Sequence, residues 1–105
     1  MDRRIRTVLQ DEDWNVRAEA VKEITDEDTL MHIALEDENR LVREFAVSKP
    51  DHAETLIRIA NQDKDSSVRL QAIKKIQNPD TLTFAVLYDK SEDIRSAALE
   101  RLEER

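Results

Sequence analysis

Four arginines, Arg17, Arg43, Arg69 and Arg95, each follow an aspartate by six residues: Asp11, Asp37, Asp63 and Asp89 respectively. A guanidinium offers a planar fork of donors that fits a carboxylate or a phosphate through paired hydrogen bonds. The pattern therefore supports either an anion-binding row of arginines or a structural ladder of charge-assisted bonds that holds loops in register. The ladder is the expectation, with partly exposed rungs worth roughly 0–1 kcal/mol each. Little else in the sequence suits a reaction. There is no cysteine, which excludes disulfides, thiolate metal sites and a cysteine nucleophile. There is no glycine, which excludes a glycine-rich phosphate loop. His32 and His52 are isolated histidines, and on a helix surface these are usually solvated rather than ligating. The acidic side chains fall mostly at helix caps and loops, and no carboxylate pair stands out for acid–base work. No catalytic, cofactor-binding or metal-binding residue is expected, and the chain is read as a non-enzyme without a cofactor.

The elements that position these residues follow from a repeat. Val16-Arg17, Val42-Arg43, Val68-Arg69 and Ile94-Arg95 recur every 26 residues, and the same register aligns Ala20, Ala46, Ala72 and Ala98. A fixed period of this length means stacked structural units. Within a unit, apolar residues fall at helical spacing twice, as in Leu30, Ile33 and Ala34 and again in Val42, Ala46 and Val47. Each unit is thus a helix pair. Asp13, Asn39, Asp65 and Ser91 are suited to cap the second helices, and Asp26 and Asn78-Pro79 to open the first helices. Helices of about ten residues are marginal alone and draw their stability from packing against neighbours. The expected core is Val16, Ala20, Ile24, Ile33, Ala34, Val42, Ala46, Ile59, Ala60, Val68, Ala72, Ile76, Val86, Ile94 and Ala98. One domain is expected over residues 1–105, with units at about 1–25, 26–51, 52–77 and 78–105.

The pattern Asp-x-Asp-x-x-Val-Arg-x-x-Ala, present at residues 11–20 and 63–72, resembles HEAT-like, armadillo-type repeats over essentially the whole chain. The units are shorter than most in that family and approach leucine-rich-variant repeats. The resemblance implies an all-α fold: a right-handed solenoid of four two-helix repeats, eight short helices in all, that binds another protein. It also allows two enzyme types to be tested by residue. Hydroxylases of this architecture hold iron through repeated His-Glu pairs, whereas His32 precedes Ile33 and His52 precedes Ala53. HEAT-like DNA glycosylases need a basic groove, and this chain carries a formal net charge of -7.

That charge disfavours nucleic acid as a partner, since it would repel phosphate. No apolar run approaches the roughly 20 residues of a membrane span, and Met1 to Arg6 lead into no signal-peptide core. The expected location is cytoplasmic and the expected partner another protein. Self-association, as in a fragment of a longer solenoid, is the alternative.

Departures from the internal consensus point to where a partner would dock. Pro50 stands where other units have Ile24, Ile76 and Leu102, and it either ends the second helix early or makes a hinge. Arg4 replaces Leu30, Leu56 and Leu82, in the manner of an N-terminal cap. Trp14, Phe45, Phe84 and Tyr88 align mostly with polar residues: Phe84 with Arg6, His32 and Arg58, and Tyr88 with Gln10, Glu36 and Gln62. Leu41 lies one turn before Phe45 and would form an apolar strip with it beside Leu70. These six are the candidate partner-binding residues, because aromatic side chains dominate interface energetics. The alternative is that the rings fold over the edge of the core.

Overall fold

Helix starts in this chain are set by short polar side chains. In the computed structural model, which describes residues 9–49 and 52–104, Asp13 accepts a hydrogen bond from the Asn15 N–H at 2.9 Å and Asn39 one from Leu41 at 2.8 Å. Asp26 accepts from Thr29 at 3.0 Å and Asn78 from Asp80 at 2.8 Å. His52, in the register of Asp26 and Asn78, caps in the same way, its Nδ1 accepting from the Thr55 N–H at 3.4 Å. Asp65 and Ser91 occupy the expected cap positions with extended backbone but make no side-chain bond to the helix N–H groups. The Thr29 hydroxyl and then its N–H both donate to the Asp26 carboxylate and hold its pKa below the ordinary value.

Seven helices result among the described residues, which contain no strand. They are α1 (Trp14–Val21), α2 (Glu27–Glu36), α3 (Arg40–Ser48), α4 (Ala53–Gln62), α5 (Ser66–Ile73), α6 (Pro79–Tyr88) and α7 (Glu92–Glu103). The positions of Arg4 and Pro50 lie outside the described residues. The chain divides into two units, Met1–Pro50 and Asp51–Arg105. In the first, α3 packs against both α1 and α2. In the second, α4 pairs with α5 and α6 with α7, while α5 also packs on α7.

Small residues let these helices approach. Ala46, Ala72 and Ala98 are wholly buried, flanked by Val42 and Val47, Val68 and Ile73, and Ile94. Two members of the expected core differ. Val16 is only half-buried, whereas Val42, Val68 and Ile94 in the same register are wholly buried. Val86 is half-buried because the order of bulk is inverted in the last unit. There Ala85-Val86 stands where Ile33-Ala34 and Ile59-Ala60 stand earlier, so the small residue takes the inward position and Leu82 fills the core.

Helix ends pose a harder problem. Helices commonly terminate on a residue with positive φ, usually glycine, that satisfies the last carbonyls. This chain has no glycine, and no described residue has positive φ. Cationic side chains take over. The Lys49 ammonium donates to the carbonyls of Val21, Lys22 and Ile24 at 2.9, 2.9 and 3.0 Å, closing the end of α1. Arg101, two repeats further on in the same register, donates to the Ile76 carbonyl at 2.7 Å. Replacing Lys49 by methionine keeps the aliphatic stem and removes the donor. The partly exposed site sets the expected loss at about 1 kcal/mol. Urea unfolding checks this, and an unchanged midpoint would show that water caps α1 equally well.

Candidate functional site

Each repeated aspartate first organises its own loop. The Oδ1 atoms of Asp11, Asp37, Asp63 and Asp89 accept from the N–H two residues on, at 2.8 to 2.9 Å. The turn leaves the aspartate's backbone carbonyl facing the arginine six residues later. Arg17, Arg43, Arg69 and Arg95 each donate from Nη1 to that carbonyl, at 2.7, 2.7, 2.8 and 2.7 Å. The other edge of the guanidinium reaches the following repeat. Nε and Nη2 of Arg17 bond both carboxylate oxygens of Asp37, at 3.0 and 3.1 Å, and Arg69 bonds Asp89 at 2.9 and 3.2 Å. One side chain therefore ties the loop of its own repeat, through a carbonyl, to the loop of the next, through a carboxylate. These two forks are occupied within the chain and offer no free edge to an anionic ligand.

Burial changes the energetics expected of these rungs. Arg17, Arg43 and Arg69 are buried rather than partly exposed; over Arg17 and Arg69 the next loop closes once its carboxylate is engaged. The Asp37 hydrogen bond raises the pKa of Arg17 above its ordinary value, against the opposing effect of burial. A cation whose folded pKa is raised contributes stability below its unfolded pKa and loses it as the pH rises through the folded pKa. For arginine both lie in strong alkali, so the clamp holds at every ordinary pH. Arg95 is different: it is half-buried, and no described carboxylate lies on its Nε–Nη2 edge.

The aromatic candidates occupy two settings. In the second unit, Phe84 and Tyr88 stand one turn apart on α6 with ring centroids 4.9 Å apart and planes tilted by 50°. They remain 52% and 69% exposed, so neither ring belongs to the core. They line a groove of about 430 Å³ whose other wall is the end of α4, at Asn61 and Gln62, with Lys64 and Lys90 beside it. The first unit contains a groove of about 480 Å³ at the equivalent place, with Gln10, His32 and Glu36 in the corresponding positions. The groove thus comes with the architecture, and the aromatic lining is particular to the second unit. Also in the first unit, Phe45 is exposed on α3 with half-buried Leu41 one turn before it, and Trp14 is half-buried at the start of α1. Leu70 is half-buried on α5 of the second unit.

Three further residues near the ring pair escape attention in the sequence. Leu87, exposed next to Tyr88 on α6, aligns with Leu9, Leu35 and Asn61. A mostly leucine register reads as ordinary packing, and Leu9 and Leu35 are indeed half-buried, so nothing in the alignment sets Leu87 apart. The lysines do carry a signal: the residue after each repeated aspartate is Glu12, Glu38, Lys64 and Lys90 in turn, a reversal of charge between the two units. Among the described residues, no three His, Asp or Glu side chains gather closely enough to hold a metal ion, and no helix is long and apolar enough to cross a membrane.

No known protein family, curated protein or solved structure matches the chain.

The two classes of arginine predict two classes of variant. Arg69→Ala strands the Asp89 carboxylate and the Asp63 carbonyl in a nearly dry site and is expected to cost about 3 kcal/mol. Arg95→Ala removes a half-exposed side chain with one carbonyl bond and should cost about 1 kcal/mol or less. Denaturant unfolding measures both, and equal losses would show that burial of the fork is energetically irrelevant.

Proposed function

We propose that the chain is a protein-interaction scaffold of the HEAT-like kind, a right-handed solenoid of four two-helix repeats with eight short helices, acting in the cytoplasm and catalysing no reaction. The observation that carries this reading is the exposed Phe84–Tyr88 pair, two rings set side by side in a groove whose counterpart in the first unit has His32 and Glu36 at the same two positions. Exposing two neighbouring rings in water forgoes the free energy of burying them. A second protein covering them would recover it and draw on the groups that dominate interface energetics. The arginines' internal engagement fits the same reading, as does the net charge of -7, which disfavours a nucleic-acid partner.

The groove also defines partner chemistry. Lys64 and Lys90 are exposed beside the rings, and no described carboxylate pairs with either. An apolar anchor side chain with neighbouring carboxylates is the complement: the anchor sits against Phe84 and Tyr88, and the acids meet the lysines. Such charges at the rim govern association rate and salt dependence more than final affinity.

A photo-crosslinking amino acid at position 84 tests this directly. Illumination in the source cytoplasm should give one discrete protein adduct, lost when Tyr88→Ala and Lys64→Glu are added while helicity and melting stay unchanged. The same group at exposed Lys74, outside the groove, should give none. Equal labelling from both positions, or labelling insensitive to those two changes, would overturn the groove as the docking site.

A further inference from the structure

We propose that the α7 end of the chain docks onto the first repeat of a second copy, with Arg95 of one copy forking the carboxylate of Asp11 in the other. This contact goes beyond the groove reading and uses a different face.

The internal repeat defines what a covered end looks like. Val21, in α1 packed by α3, is 1% exposed, and Ile73, in α5 packed by α7, is 0% exposed; Leu99, at the same register of α7, is 47% exposed. Leu102 is half-buried where Ile24 and Ile76 are buried. The polar chemistry is interrupted at the same place. Arg17 and Arg69 close their forks on the aspartate of the next repeat, whereas Arg95 holds only the Asp89 carbonyl among the described residues and presents its Nε–Nη2 edge unpaired. An apolar side chain and a bidentate donor left open together are the two halves of one stacking contact.

The chain itself carries the complementary surface. Asp11 stands in the register of Asp37 and Asp89, its loop is folded by the same bond to the N–H two residues on, and its exposed carboxylate forms no ion pair among the described residues. Behind it, Val16 is half-buried where Val42, Val68 and Ile94 are wholly buried. A second copy therefore offers an aspartate in the fork-receiving geometry and an apolar residue to meet Leu99. Long-range charge does not drive the pairing. Residues 1–50 carry thirteen acidic against eight basic side chains and residues 51–105 eleven against nine, so both halves are net negative and the attraction is confined to the fork itself. The contact is heterologous, using different surfaces of the two partners.

Sedimentation equilibrium of the full chain over a concentration series tests this. The wild type should show an average mass that rises above the monomer with concentration. Arg95→Asp, Asp11→Arg and Leu99→Glu should each weaken association at least about tenfold, with helicity unchanged. A mixture of the Arg95→Asp and Asp11→Arg chains should associate again, because native or exchanged charges then face each other at each junction. Phe84→Ala with Tyr88→Ala should associate as the wild type does, which separates this contact from the groove. A monomer at every concentration would overturn the proposal, as would single variants that associate like the wild type or a mixture that stays monomeric. Loss of association in the Phe84 and Tyr88 variant alone would overturn it too, by moving self-association to the groove.

Discussion

A buried guanidinium with each of its three nitrogens engaged is the interaction on which this structure depends. Taking arginine out of water costs several kcal/mol unless carbonyl and carboxylate acceptors replace the lost hydration. Arg17 and Arg69 meet that requirement only by bonding two consecutive repeats at once, one through a backbone carbonyl and the other through a bidentate carboxylate. Neither acceptor suffices alone, so the distance between repeats is constrained chemically as well as by packing. An added or deleted residue in the loop would misplace the aspartate's carbonyl and its carboxylate together. That accounts for the constancy of the 26-residue spacing in a chain whose other surface positions vary freely.

The same economy appears at the helix ends. Without glycine there is no easy left-handed residue to turn the last carbonyls inward, and repeated cations close them: Arg17 and Arg69 on the loop carbonyls of their own repeats, Lys49 and Arg101 on the preceding repeat at the other end of the pairs. Helix capping and repeat stacking are thereby one set of bonds. Short helices that are marginal alone gain their ends only when a neighbour arrives. Each unit also carries a groove, and changing the side chains that line it changes what it can bind without touching the clamp. His32 and Glu36 in one unit, Phe84 and Tyr88 in the other, are the two linings this chain carries.

The helices and their starts were legible because period and cap chemistry are local: Asp13, Asp26, Asn39 and Asn78 declare themselves by type and position. His52 was not read as a cap although it shares the register of Asp26 and Asn78, because histidine is an uncommon acceptor at that position. The spacing of six between Asp and Arg was visible, but not that the own-repeat bond goes to the carbonyl while the carboxylate comes from the repeat ahead. That division depends on how the loop turns. Burial of Arg17 and Arg69 was likewise hidden, since it is produced by the next loop closing over them. Lys49 was missed because a search for helix ends looks for glycine. Val86 was misplaced because alignment by position ignores that Ala85 and Val86 exchange bulk. Exposure of Phe84 and Tyr88 followed from polar residues at their register, whereas the groove required the end of α4 to be placed opposite them.

The central claim is that the fork couples adjacent repeats rather than merely touching both. A double-mutant cycle on Arg69 and Asp89, with each residue replaced by alanine singly and together and unfolding followed in urea, isolates that coupling. Contacting residues in one hydrogen-bond network give interaction energies of about 0.5–3 kcal/mol, whereas independent sites add to within about 0.3–0.5 kcal/mol. The structure predicts a coupling of about 1.5 kcal/mol or more, so that the double variant is much more stable than the sum of the single losses implies. Additive losses would contradict it and leave packing alone to hold the repeats together.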